Sequence, residues 1–223
     1  MGYWEPKTVK TVQILLLLLS SFLQYGCSEK AKETEHLPYY NDPDFTPLFL
    51  HSEETGEKIK HTINNFSFLN QDSVLITQKA IEGKIHVADF IFTTCGSICP
   101  SMTANMKIVN DSLRNDTNVV FLSYSVTPWI DKPFVLRQYR QMNNITNPNW
   151  HFLTGAKRDI YSLARKSYYA EEDLGFTKDS SEFLHTEHFI LVDRNKRIRG
   201  IYNGTLRLEM KQLLEDISIL KQE

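Results

Sequence analysis

The chain is predicted to fold as an α/β domain, a central β-sheet flanked by helices. Two patterns predict it. Short apolar, β-branched and aromatic runs alternate with amphipathic runs from about residue 65 to residue 220. The composition is also that of a packed protein, with 41% hydrophobic residues, enough to build a core. At 223 residues there is room for one ordinary domain plus accessory segments. The formal net charge is −2 and no basic run stands out, so nucleic-acid binding finds no support.

The elements follow in chain order. Lys7 and Lys10 precede a short apolar stretch, Val12 to Leu19 with Phe22 and Leu23, which reads as an export leader over residues 1–26. That stretch is shorter than the roughly 20 residues a spanning helix needs. Leu23-Gln24-Tyr25-Gly26-Cys27 resembles a bacterial lipobox, which makes Cys27 the lipidated first residue of an exported, membrane-anchored lipoprotein facing the periplasm or another extracytoplasmic side. An uncleaved anchor and an ordinary cleaved signal remain the alternatives. Residues 27–60 are polar, charged and interrupted by Pro38, Pro43 and Pro47, as expected of a tether. Two patches in it, Pro38 to Asn41 and Phe45 to Leu50, are apolar enough to dock on the domain of residues 61–223.

Asn65 to Leu69 and Ser73 to Ile76 suggest an N-terminal hairpin across Asn70-Gln71-Asp72. Ile85 to Phe92 has the character of a buried strand, and Pro100 to Leu113 that of a helix begun by its proline. A strand at Val119 to Tyr124 leads to a helix from Pro133 to about Met142, and Ile160 to Lys166 is helical. Ser167 to Leu184 reads as an exposed excursion. His188 to Asp193 and Ile198 to Tyr202 form a hairpin across Arg194-Asn195-Lys196. Leu206 to Leu220 closes the chain as an amphipathic helix.

The chemistry concentrates in Phe92-Thr93-Thr94-Cys95-Gly96-Ser97-Ile98-Cys99-Pro100, a Cys-x-x-x-Cys at a strand-to-helix turn. A cysteine beside a helix N-terminus feels the positive end of the helix dipole, which favours its thiolate. Two thiolates held close can form a disulfide or seize one soft metal ion. A structural disulfide closing so short a loop would add little stability. His188, in Glu187-His188-Phe189-Ile190, is a candidate third ligand from far downstream. His185 is the obvious local candidate for a fourth and reads as a solvent-facing bystander. Met102 and Met106 read as core residues and Asp131 as a helix cap before Pro133. His36, His51, His61, His86 and His151 show no ligand spacing.

These residues resemble the Sco/SenC family. The likeness continues through Ser123-Tyr124-Ser125-Val126-Thr127-Pro128-Trp129-Ile130-Asp131-Lys132-Pro133, Trp150 to Gly155 and Asp193 to Lys196, and runs from near His61 to the C-terminus. Gly96, Thr127 and Glu187 depart from the usual Pro, Asp and Asp, while Asp131 matches a family acidic position near the site, which implies an acid that orients a loop or binds a partner as the alternative to a cap. The resemblance implies a thioredoxin-like fold around a mixed sheet and a copper metallochaperone. It assigns Cys95, Cys99 and His188 to copper, as Cu(I) or Cu(II), and a redox-active disulfide to Cys95 and Cys99. The implied partners are the copper-receiving subunit of a terminal (cytochrome c) oxidase and other copper chaperones. The alternative is an enzyme, a thiol–disulfide oxidoreductase reducing a partner's cysteines before metallation with Cys95 and Cys99 as its redox pair. His188 separates the two readings, because exchange does not need it and copper retention does.

Overall fold

The computed structural model describes Met1 and residues 36–51, 53–170 and 186–223. The export leader, Cys27, His185 and most of the excursion before His188 lie outside the described residues. Within His36–Glu223, strand β5 (Ile85–Ile91) is buried at every position, and so is its parallel neighbour β6 (Val119–Ser125). Strands buried on both faces read as near-continuous apolar runs, which is why both were visible in the sequence.

The described residues form a nine-stranded mixed sheet. Its other strands are β1 (Tyr39–Tyr40), β2 (Pro47–Leu48), β3 (Ser67–Asn70), β4 (Leu75–Thr77), β7 (Trp150–Thr154), β8 (His188–Val192) and β9 (Ile198–Asn203). The order is β2-β1-β9-β8-β5-β6-β7-β3-β4. Only the β5–β6 and β6–β7 pairs are parallel, as two strand–helix–strand crossovers require. The expected hairpins β3–β4 and β8–β9 are present and antiparallel. Strand β7 has no counterpart in the sequence reading. Its five residues, bounded by Asn147-Pro148-Asn149 and Gly155, are too few for alternation to stand out.

Helices cover both faces. On one lie α2 (Ile98–Ser112), α3 (Pro133–Met142) and α5 (Arg207–Gln222), whose Met102, Met106, Leu136, Leu213 and Ile217 pack with Val87, Phe121, Phe189 and Leu191. Met102 and Met106 are therefore core residues. On the other lies α4 (Lys157–Ser167), whose Ile160 and Ala164 meet Ala88, Phe90, Tyr124, Ile190 and Val192. A short α1 (Thr55–Lys58) precedes β3.

The stretch expected as tether joins the sheet from residue 37 onward. Tyr40 pairs with Ile198 of β9, and Leu37 and Tyr39 are buried. The clamp is Arg199, 2% exposed, which donates to the carbonyls of Leu37 (2.8 Å) and Pro38 (3.0 Å) and lies over the Tyr39 ring. Asp193 and Glu223 balance its charge. A buried cation needs such partners, and here they draw the incoming chain onto the sheet.

The start of the expected excursion is also interior. Tyr168 is fully buried, and its hydroxyl lies 3.1 Å from His86 Nε2 and 3.2 Å from the Tyr124 hydroxyl. Burial holds the His86 imidazole at a pKa of about 3, against an ordinary 6.5. As pH falls below 6.5 the unfolded chain gains a proton there that the folded chain refuses until about 3. This stabilising term is thus full above 6.5 and lost on acidification. In urea titrations, His86→Gln should flatten the loss of stability between pH 6.5 and pH 3 relative to the parent protein. Parallel profiles would contradict the assignment.

Candidate metal centre

At the end of β5 the chain turns through residues 92–97 into α2, and the Cys95 N–H donates to the Phe92 carbonyl (3.2 Å). The helix begins at Ile98, two residues before Pro100. Proline fits anywhere in a first turn, where its missing N–H would be unpaired. Cys99 therefore sits inside the first turn rather than at the cap, which is Ser97. Gly96 has open space at its missing side chain and no positive φ, so this turn does not depend on glycine.

The structure brings the free thiols of Cys95 and Cys99 together at this turn. They are unequal. Burial acts to raise Cys95, but the N–H groups of Cys99, Ser97 and Ile98 and the Cys99 thiol are directed at its sulfur, and the thiol falls below its ordinary pKa. Cys99, 3% exposed, is pushed up to about 12 by burial, with Cys95 and Asp89 adding to the rise. The result is a half-exposed thiol that ionises more readily than usual beside a buried one that holds its proton.

Two carboxyls flank the pair. Asp131 is fully buried but caps no helix; the α3 cap position is Lys132. It accepts from Thr93 Oγ1 (2.5 Å), Thr93 N (3.3 Å), Ser125 Oγ (2.6 Å) and Thr127 Oγ1 (2.9 Å). These bonds fasten the base of the cysteine turn to the loop after β6. Beneath the thiols, Asp89 is 1% exposed and accepts from Ser123 Oγ (2.6 Å), which in turn accepts from Trp150 Nε1 (2.9 Å). Burial raises the Asp89 carboxyl to about 7, against the Ser123 hydrogen bond. The Tyr139 hydroxyl, 2.6 Å from Thr103 Oγ1, completes this polar floor. The sequence reading missed Asp89, although a lone acid inside an apolar strand was its signal.

His188 opens β8, which runs antiparallel to β5, so it lies at the cysteine end of the sheet. Its side chain is on the other face. Phe189 and Leu191 pack with the α2 side, Ile190 and Val192 with the α4 side, and alternation puts His188 with the latter. Its ring meets Phe45 edge-on at 6.2 Å. Among the described residues no group of three His, Cys, Asp or Glu side chains is arranged to hold a metal.

The SCO1/SenC family profile matches residues 54–221, most of the chain. The chain belongs to the SCO1/SenC family. It is 32% identical over 168 residues to the SCO1 protein homolog of Bacillus subtilis strain 168, covering 73% of this chain and 86% of that protein. A SCO1/SenC family lipoprotein from Bacillus anthracis is similar in structure at 30% identity and a TM-score of 0.64, over 74% of this chain and 98% of that one. BsSco, described as having a disulfide switch and as a member of the Sco family of cytochrome c oxidase assembly proteins, gives 29% and 0.61, over 72% and 93%. Copper-bound ScoI of Bradyrhizobium japonicum shares the fold at 23% and 0.56, over 70% and 98%. The thioredoxin-like α/β architecture that the family resemblance implies is thus the one the chain adopts.

The unequal thiols have a direct readout. Under iodoacetamide at pH 7, peptide mapping should find Cys95 alkylated at least about tenfold faster than Cys99. Asp131→Asn, which loosens the turn, should narrow that ratio. Equal rates in the parent protein would contradict the asymmetry.

Proposed function

We propose that this family member is a copper carrier that holds one copper ion, as Cu(I) or Cu(II), through Cys95, Cys99 and His188. It would pass the ion to the copper centre of a terminal oxidase during assembly. The observation that carries the reading is the cysteine pair gathered at one turn, with the Cys95 thiol lowered below its ordinary pKa by the N–H groups around it. Thiolates select soft Cu(I), and an imidazole extends the set to Cu(II). Cys95 makes first capture. Cys99 must then lose its proton, so copper uptake releases protons and tightens as pH rises. Two sulfurs and a nitrogen leave the ion open to an incoming partner ligand, which allows it to be handed on. The description of BsSco as an oxidase assembly protein supports the acceptor. Other copper chaperones are the proposed donors.

An exported, lipid-anchored location fits the reading. The Cys27 motif and the lipoprotein from B. anthracis support it. Among the described residues no helix is long and apolar enough to cross a membrane.

The oxidoreductase reading has one observation in its favour, the pairing of a reactive thiol with a buried one. Cys95 would attack a partner disulfide and Cys99 would resolve the mixed disulfide, leaving the partner's two thiols reduced and Cys95–Cys99 oxidised. A resolving thiol held near pKa 12 is almost wholly protonated at neutral pH, which slows the second step. That favours the carrier.

Anaerobic titration of the reduced protein with Cu(I) against a competing chelator should give one copper per chain. Cys95→Ser and Cys99→Ser should each weaken binding by about a hundredfold or more, and His188→Ala by about tenfold. Binding indifferent to all three, with fast reduction of a peptide disulfide, would make the protein a reductase.

A further inference from the structure

Strand alternation places His188 on the wrong face of the sheet for a ligand of Cys95 and Cys99, and one residue of the N-terminal hairpin packs against its ring there. Phe45 lies in the loop between β1 and β2. Its ring makes edge-on contacts with Tyr40 (6.2 Å, 80°), Tyr169 (6.1 Å, 73°) and His188 (6.2 Å, 90°), all within the range of favourable aromatic pairs. Its backbone has φ 51°, a left-handed conformation that a bulky residue rarely adopts unless its surroundings enforce it. The loop enforces it locally, since Phe45 N donates to the Asp42 carbonyl (3.2 Å) and Asp42 Oδ1 accepts from Asp44 N (3.1 Å) and Thr46 N (3.4 Å).

The opposing wall is equally fixed. Tyr169, itself at φ 49°, stacks on His61 with ring centroids 4.3 Å apart and donates its hydroxyl to the Asn41 carbonyl (3.1 Å). Asn41 Oδ1 accepts from Lys60 N and His61 N, so loop, strand edge and domain lock together around Phe45. His188 is the first residue of β8, paired only at the strand's end with Asn203. It is the member of this cluster that can leave with least disruption of the sheet.

We infer that Phe45 is a latch: it holds His188 against the α4 face, and His188 must leave it before it can join Cys95 and Cys99 around copper. The inference rests on the proposed role of His188 as a ligand. Capture is then two-staged, cysteines first and imidazole second, and the apparent affinity is lowered by the fraction of chains in which His188 is latched. A partner that disturbs the β1–β2 loop would change how firmly the ion is held.

The test uses the full reduced chain. Without copper, NMR of the His188 ring protons should show a ring-current shift that disappears in Phe45→Ala and persists in Phe45→Tyr. With Cu(I) and a competing chelator, Phe45→Ala should bind about three- to tenfold more tightly than the parent. Phe45→Tyr should match the parent, and the gain should vanish when His188→Ala is combined with Phe45→Ala. Unchanged or weaker binding in Phe45→Ala, while His188→Ala alone weakens binding, overturns the latch and leaves the ligand in place. If His188→Ala alone leaves copper affinity unchanged, the ligand reading fails and the latch fails with it, whatever the ring-current shift.

Discussion

The burial of β5 on both faces is the constraint from which the other placements follow. A strand enclosed by helices on each side can present chemistry only at its end, and the cysteine turn is that end. Because α2 starts there and packs on one face, Cys99 is drawn into the core while Cys95 stays at the rim beneath the helix N–H groups. One geometric choice thus sets two opposite thiol environments. The same burial makes Asp89, midway along β5, an interior carboxyl tied to Ser123 and, through it, to Trp150.

Strand alternation then decides the rest. β8 lies beside β5, so its first residue is at the cysteine end of the sheet, yet the period of two aims that residue at the opposite face. Proximity along the sheet and separation across it are both consequences of one register. A chain built this way keeps His188 near the cysteine turn without placing it beside the thiols, and the N-terminal hairpin that Arg199 draws onto the edge supplies the aromatic surface on which its ring rests.

Much of this was legible in the sequence. β5 and β6 are long apolar runs, α3 starts at its proline, and the terminal hairpin and α5 follow their periodicities. The Cys-x-x-x-Cys was found by spacing alone. What stayed hidden depends on contacts distant in the chain. Asp131 sits just before Pro133 and reads as a cap or as an acid orienting a loop, and only its bonds to Thr93, 38 residues earlier, and to Ser125 and Thr127 decide for the loop. Arg199 gives no sign of burial until the carbonyls of Leu37 and Pro38 meet it. The face of His188 was unreadable for a simple reason: Phe189, Ile190, Leu191 and Val192 are all apolar, so no alternation marks inside from outside.

The central claim is that two sulfurs and one imidazole from opposite faces of the sheet converge on one copper ion. X-ray absorption at the copper edge of the Cu(I)-loaded protein, compared with His188→Ala, tests it most directly. The account predicts two sulfur scatterers and one imidazole nitrogen, with the nitrogen signature lost in the variant. Two sulfurs with no imidazole, or an identical spectrum from His188→Ala, would contradict it.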